Sequence, residues 1–378
     1  MAAIRKRTWA RRDKTQTTWV VDFLDNAGTR QRKTFRLRRD ADRFRVHVEG
    51  ALADGTYSTI AATLTVRDLC TRFIENCDGR QQRGEKMERK TVLTYRGFVS
   101  NHVLHADHGL GRVKLSALTR PRIGKFRDDL RSAGVSVATT RKIIAMVHTM
   151  LEYAIDQGFT KTNPARHVRV ITPRGQGAKP ISVPSRADVS ALLEVADATT
   201  RLRILFAALT GLRAGEQWAL TWADMDFQKR EISVTRRVDV YHKLAAPKSE
   251  AGVRTVPLPD RLVKELKAWR LQSKFSKPDD LIFHNKNGGF VWHDNFVARF
   301  FTPLFEKTSR NPSPPARFNW HALRHHAIST WIAAGIPLMT VQTYAGHASL
   351  RLTADRYGHL LPDEDHHEKL DAIAKELA

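Results

Sequence analysis

From residue 137 to 157 the apolar positions recur every three to four residues. Ile143, Ile144, Met146, Val147, Met150, Leu151 and Ala154 fall on one face, so the spacing predicts a helix whose stripe is core. Gly158 follows as its C-cap. Similar periodicity predicts helices at about 65–77, 91–104 and 121–133, with a charged connector over 79–90. The opening of the chain reads differently. Residues 18–23 alternate as a strand, Asp25, Asn26, Ala27 and Gly28 form a turn, and 30–35 return as a second strand. A helix then runs from Asp40, its N-cap, to about Ala53, stopped by Gly55.

Beyond residue 185 the pattern is mixed. Ser185 and Asp188 cap a helix that reaches about Val195, and 202–209 is apolar enough for a buried helix. Residues 231–241 and 253–258 read as strands around a turn at 249–252, and 281–283 as a short strand. Helices are predicted at 261–272, 293–307, 320–334, 337–345 and 350–357, with a charged tail helix over 362–378. Between the halves, 170–184 holds Pro173, Gly175, Gly177, Pro180 and Pro184, an extended linker by composition. The expected fold is α+β and multi-domain: a small sheet plus helix (1–60), an all-helical unit (61–170), a basic linker (171–184) and a helix-rich α+β unit with the tail helix (185–378).

Charge sharpens this picture. The 378 residues carry 63 Lys+Arg against 39 Asp+Glu, a net +24 that points to a polyanionic partner and away from an ordinary small-molecule enzyme. Residues 1–180 hold +19 of the excess and 181–378 only +5, which suggests binding in front and chemistry behind. Arg30, Arg32, Lys33, Arg36, Arg38 and Arg39 crowd one ten-residue segment, and a β-ribbon with cations on one face can lie in a DNA groove. The plainer alternative is an edge strand blunted by charge. Arg174 and Lys179 would let the linker follow a phosphate backbone. Cys70 and Cys77 lie about 10 Å apart along one predicted helix, too far for a disulfide, which suits a reducing cytoplasm. No stretch approaches the roughly 18 apolar residues of a membrane span, and the basic start has no apolar segment after it to act as a secretory signal.

Three segments of the last unit gather chemistry. Gly211, Leu212, Arg213 and Glu216 place a cation at the end of a buried helix. His321 and Arg324, at i and i+3, share a helix face. Gly346 and His347 are followed ten residues on by Arg356, Tyr357, Gly358 and His359. Lys248 lies between two strands, with Lys243 the other lysine of that connection. His321, His325 and His326 invite a zinc reading, but no Glu completes an HExxH pattern and no CxxC supports it. Singly, each segment reads as a helix end, a solvated face or packing.

In order, however, Arg213, Lys248, His321 with Arg324, His347 and Tyr357 resemble the signature of the tyrosine recombinase (phage integrase) family. The stretch from Thr353 to His359 is similar to its nucleophile box, Asn163, Pro164 and Ala165 sit where its core-binding domain often ends, and the basic start is similar to the arm-binding domain of its larger members. Gln217 and Ala345 depart from the apolar residue and the Leu common there, without touching a catalytic position. The resemblance implies a site-specific recombinase that cleaves DNA through a 3′-phosphotyrosyl link at Tyr357. Arg213, Arg324 and His347 would serve the phosphate, His321 would act as base, Lys248 would donate to the leaving oxygen, and Glu216 would support Arg213. It implies double-stranded DNA attachment sites as substrate, a homotetramer on DNA, and no cofactor, metal or ATP. A host DNA-bending protein and an excision directionality factor stay open as partners, and no membrane is involved. Arginine suits the chemistry because guanidinium is planar, bidentate and always charged, whereas a tyrosine with pKa about 10 needs help to lose its proton. The alternatives are a conjugative-transposon recombinase with the same chemistry, a relaxing topoisomerase with the same nucleophile, and a DNA-binding regulator without catalysis.

Overall fold

The structure, a computed structural model, describes residues 2–11, 14–25, 28–53, 63–172, 183–247, 249–310 and 313–358. The chain divides into two compact units, Met1–Ala178 and Lys179–Ala378. Lys248, Arg174, Lys179, His359 and the tail predicted over 362–378 lie outside the described residues.

The first unit opens with an antiparallel sheet of three strands, β1 (Ala3–Arg11), β2 (Lys14–Leu24) and β3 (Arg30–Phe35), in the order β1-β2-β3. The first strand was not expected: in 3–9 the cations mask an alternation that pairs Ile4 with Val21 and Lys6 with Trp19. Alternate β2 residues Trp19, Val21 and Phe23 pack with Phe35 against Ala41, Phe44 and Val48 of helix α1 (Arg38–Ala53). That helix begins two residues before the expected Asp40.

Four longer helices follow. α2 (Val66–Gln82) starts on a Thr65/Asp68 capping box and runs past the expected end at Cys77 into the predicted connector. α3 (Arg89–Phe98) continues as a π turn, Val99–Val103. α4 (Arg120–Ser132) and α5 (Val137–Asp156) complete the set. The α5 stripe is buried as its periodicity requires, with Met150 against the thiol of Cys70, and both cysteines are buried and free.

The second unit begins with α6 (Arg186–Val195), opened by the Ser185/Asp188 capping box, and α7 (Ala198–Thr210), which buries most of its length. A short turn, α8 (Ala214–Gln217), leads to a three-stranded sheet of β4 (Met225–Asp226), β5 (Glu231–Val234) and β8 (Arg254–Pro257). The strand expected over 231–241 breaks after Val234, and its second half enters a separate ribbon, β6 (Arg237–Val238) with β7 (Leu244–Ala245). Residues 281–283 form no strand, only a bridge from Leu281 to Thr221. α9 (Asp260–Gln272), α10 (His293–Phe296), a π turn (Val297–Phe301) and α11 (Thr302–Lys307) pack around an aromatic core of Phe206, Trp218, Phe283, Phe296, Phe301 and Trp320. Gln217, polar where an apolar residue was expected, is buried and donates to the Arg203 carbonyl. The unit then adds α12 (His321–Ala333), α13 (Leu338–Ala345) and α14 (Leu350–Tyr357). No helix among the described residues is long and apolar enough to cross a membrane.

Candidate active site

Two left-handed glycines place the site. α7 ends at Gly211 (φ 59°) and α13 at Gly346 (φ 64°), and each turns a carbonyl toward an arginine. Gly211 accepts from Nη1 of Arg324 at 2.8 Å, and Gly346 accepts from Nη2 of Arg213 at 3.0 Å. A Cβ at Gly346 would lie 2.8 Å from Arg254 Nη1 and 3.0 Å from the Ala251 carbonyl. Gly346→Ala should therefore destabilise by about 1–3 kcal/mol, from backbone strain with the close contact added. Urea unfolding measures it, and a wild-type midpoint would contradict the packing.

Arg213 caps α8 and pairs with Glu216, Nη1 to Oε1 at 2.8 Å, while 40% of its side chain stays open. Glu216 is buried and accepts on its other oxygen from the Arg213 backbone N–H at 3.0 Å and from Arg254 Nη2 at 2.9 Å. Burial opposes its charge, yet the Arg254 and Arg213 guanidiniums hold its carboxyl below the usual carboxylate range. Arg254, at the start of β8, is itself buried. It donates from Nε to the Tyr344 carbonyl at 2.7 Å and from Nη1 to the Gly252 carbonyl at 2.9 Å. Sequence reading passed over Arg254, because an Arg opening a strand looks solvated. The pairing with a buried Glu becomes visible only when α8 and β8 are brought together.

Arg324 on α12 is buried and also donates to the Ala345 carbonyl. Burial and the Arg213 charge pull its pKa down to about 9. His347 is buried, with Nδ1 2.9 Å from Thr353 Oγ1 of α14. Burial, then Arg324 and Arg213, push His347 down to about 3. His321 keeps an exposed edge. Desolvation of its inner edge, the neighbouring His325 and the cation Arg324 lower it to about 4.

Tyr357 ends α14 with only 1% of its surface open, its ring packed against Ile328, Ile332, Val341 and Ala345. Burial raises its pKa against the pull of Arg324 and Arg356. Its hydroxyl meets Nδ1 of His325. That residue was read from sequence only as half of an improbable zinc pair; the residue expected as base, His321, stacks edge-on to it with ring centroids 4.9 Å apart. One turn of helix separates the two imidazoles, so sequence spacing could not say which one faces the phenol. Among the described residues no group of three or more His, Cys, Asp or Glu is arranged to hold a metal ion.

The neutral histidines give a pH prediction. Unfolded histidine titrates near 6.5, whereas half-buried His325 and buried His347 stay neutral to about 4 and 3. Below about 6.5 the unfolded chain takes up protons that the folded chain refuses. Their contribution to stability is thus complete above 6.5 and is lost as pH falls toward 4. The thermal midpoint should drop across that window, and less so in His347→Gln. An unchanged slope in the variant would remove His347 from the account.

In the first unit the expected cations separate. Arg30 donates to Asp22 at 2.8 Å and 2.6 Å, and Arg32 lies 3.4 Å from the same carboxylate, across β2 from the α1 face. Lys33 turns the other way, its ammonium 4.2 Å from the ring centre of Phe44. Arg36 is exposed beyond the strand, and Arg38 and Arg39 open α1, with the Arg38 guanidinium 5.3 Å from the ring centre of Trp19. The six residues therefore share no single ribbon face.

Residues 185–364 match the phage integrase family. A tyrosine recombinase XerC-like protein of Caldanaerobacter subterraneus subsp. tengcongensis is 27% identical over 304 residues, spanning 74% of this chain and 77% of that one. The ICEBs1 integrase of Bacillus subtilis is 25% identical over 318 residues, 81% and 82% of the two chains. The fold is similar to that of the Tn1549 transposon integrase solved with circular intermediate DNA (TM-score 0.66, 19% identity, 83% of this chain and 100% of that one). It is also similar to the lambda integrase tetramer solved on a Holliday junction (TM-score 0.57, 17% identity, 90% and 95%). Fold and relatives together define a site-specific recombinase. The second unit of the chain thus belongs to the tyrosine recombinase (phage integrase) family.

Proposed function

We propose that this recombinase cleaves and rejoins duplex DNA at attachment sites through a 3′-phosphotyrosyl link on Tyr357, and so integrates and excises a mobile element. The observation that carries the reading is the convergence of Arg213, Arg324, His347 and the Tyr357 hydroxyl around the ends of α7 and α13. A phosphodiester gathers negative charge on its non-bridging oxygens as the nucleophile arrives. Preorganised cations and N–H donors stabilise that charge. Arg213, open on one side, meets the phosphate directly. Arg324 lends its charge from beneath, and His347 is a further donor. Glu216 is an orienting group: both of its oxygens are occupied by arginines. Tyr357 Oη attacks phosphorus and the P–O5′ bond breaks. The bond energy is kept in the phosphotyrosyl ester, so a 5′ hydroxyl of a second duplex can reverse the attack without ATP. Lys248 is proposed as the proton donor to the leaving oxygen, on the family resemblance.

The proposed assembly is a homotetramer on two duplexes in the cytoplasm of a bacterial host. The proposed organisation keeps 1–60 as an arm-type DNA-binding domain, 61–170 as a core-type one, 171–184 as the linker with Arg174 and Lys179 on DNA, and 185–378 as the catalytic domain. The exposed cations of the opening sheet support the first of these, Arg30 and Arg32 foremost. A conjugative element is the second reading, favoured by the ICEBs1 and Tn1549 relatives.

The test incubates the protein in EDTA with nicked duplexes tiled across the DNA on both sides of its gene, followed by denaturation. A covalent adduct on one fragment supports the reading. Tight binding on a fragment with no adduct on any would replace it with a regulator that binds DNA without cutting.

A further inference from the structure

The phenol of Tyr357 must lose a proton as it attacks, a step for which the family resemblance offers His321 as base. The only side chain whose hydrogen bond to the Tyr357 hydroxyl is found among the described residues is His325, through Nδ1. We propose that His325 is the proton acceptor for Tyr357, a further catalytic residue beside the set carried by the family resemblance. The inference rests on Tyr357 being the nucleophile.

Three features support it. First, the contact joins two helices that pack on each other through the Tyr357 ring. His325 lies in the second turn of α12, directly after buried Arg324, and Tyr357 is the last residue of α14. The Tyr357 ring is held by Ile328 and Ile332 of the same α12, so phenol and imidazole share one scaffold. Second, the groups around His325 favour a neutral ring. They are His321 and Arg324 on its own helix, and Tyr357 and Arg356 on α14; no carboxylate is among them. Burial, then Arg356 and Arg324, lower its pKa to about 4, so the ring is neutral at pH 7 with Nδ1 unprotonated; the same shift weakens it as a base, so the proton moves together with the forming Oη–P bond. Third, the same two guanidiniums favour the phenolate that remains. A neutral acceptor in hydrogen-bond contact with the nucleophile is the arrangement general base catalysis requires.

The step balances. The Tyr357 proton passes to Nδ1 of His325, with Nε2 carrying the ring's other hydrogen. The Oη–P bond forms, the P–O5′ bond breaks, and the 5′ oxygen takes a proton from Lys248 or water. In the reverse reaction His325 returns its proton to the departing phenol. His321, open to solvent on one edge, is left to face the phosphate.

The test compares wild type with His325→Gln, His325→Ala and His321→Gln, on the nicked fragment that gives an adduct with wild type. The initial rate of adduct formation is followed from pH 5 to 9. Wild type should be flat above about pH 5. His325→Gln should be slower by about 10²–10⁴-fold at pH 7, with a rate that rises about tenfold per pH unit as the phenol ionises unaided. Added imidazole should rescue His325→Ala but not His321→Gln. A residue that only packed against Tyr357 would show neither the changed slope nor the rescue. A faster His325→Ala enzyme would make the contact a restraint on the nucleophile and overturn the proposal. So would a flat, wild-type profile in His325→Gln. A DNA-free arm checks the contact itself: the ¹⁵N resonance of His325 Nδ1 should move in Tyr357→Phe, and an unmoved resonance would also overturn it. An adduct formed by Tyr357→Phe would instead sink the reading of Tyr357 as nucleophile, a separate failure.

Discussion

Tyr357→Phe is expected to remove every covalent protein–DNA adduct while leaving duplex affinity at the wild-type level. The substitution deletes one oxygen and keeps the ring that fills the cluster of Ile328, Ile332, Val341 and Ala345. The cost in stability should be no more than about 0.5–1.5 kcal/mol, the net value of one hydrogen bond, since His325 loses its partner. The charge that draws in DNA is untouched: the net +24 and its concentration in residues 1–180 are the same in both proteins. Binding and cleavage should therefore separate cleanly, with a mobility shift reporting the first and a denaturing gel the second. A regulator without catalysis would not register the change in either assay. If adduct persisted in the variant, the nucleophile would have to be another residue. Tyr344 on α13 is the nearest phenol by sequence, but it packs edge-on against Trp331 and its carbonyl is occupied by Arg254.

Much of this site could be read before any coordinates. Arg213 alone reads as a helix end; it is the order of Arg213, Lys248, His321 with Arg324, His347 and Tyr357 that singles it out. The i, i+3 spacing put His321 and Arg324 on one face, and the Ser185/Asp188 pair marked a helix start to the residue. The failures have physical causes as well. The first strand was hidden because its outward positions carry Arg5 and Arg7, so that its alternation of apolar and charged residues reads as a basic tract. The strand over 231–241 was overextended because the alternation of apolar residues continues through the chain's crossing into a second ribbon at Arg237. Arg36, Arg38 and Arg39 were grouped with Arg30 by proximity in sequence, whereas the end of β3 at Phe35 and the start of α1 at Arg38 send them elsewhere. Arg254 and His325 were missed for a deeper reason. Each acquires its meaning from a partner far along the chain, Glu216 in one case and Tyr357 in the other, and neither has a local pattern that announces the pairing.

Arg254→Leu is expected to be the most destabilising single change at the site. The guanidinium is buried and makes three bonds: to the Glu216 carboxylate and to the carbonyls of Tyr344 and Gly252. Leucine would leave Glu216 buried with Arg213 as its one remaining cation, and two carbonyls would lose their donor. Removing one partner of a buried ion pair costs about 3–5 kcal/mol, a large share of the roughly 5–15 kcal/mol that holds a domain folded. Arg254→Lys should fall between, because an ammonium keeps the charge but cannot span three acceptors set around a planar fork. Urea midpoints of the three proteins give the order, wild type above Lys above Leu. Activity should fall further than stability alone explains. Glu216 holds both the backbone and the side chain of Arg213, and a shift of about 1 Å in a phosphate-binding group can cost about a hundredfold in rate. The double variant Glu216→Gln with Arg254→Leu separates the two effects. Neutralising the orphaned carboxylate should recover part of the stability lost by Arg254→Leu, while the cleavage rate stays low because Arg213 has lost its anchor. If the double variant were no more stable than Arg254→Leu, the loss would lie in the two carbonyls of Tyr344 and Gly252. Arg254 would then act chiefly as a clasp between β8 and α13, rather than as the counter-ion that keeps Glu216 charged beneath the site.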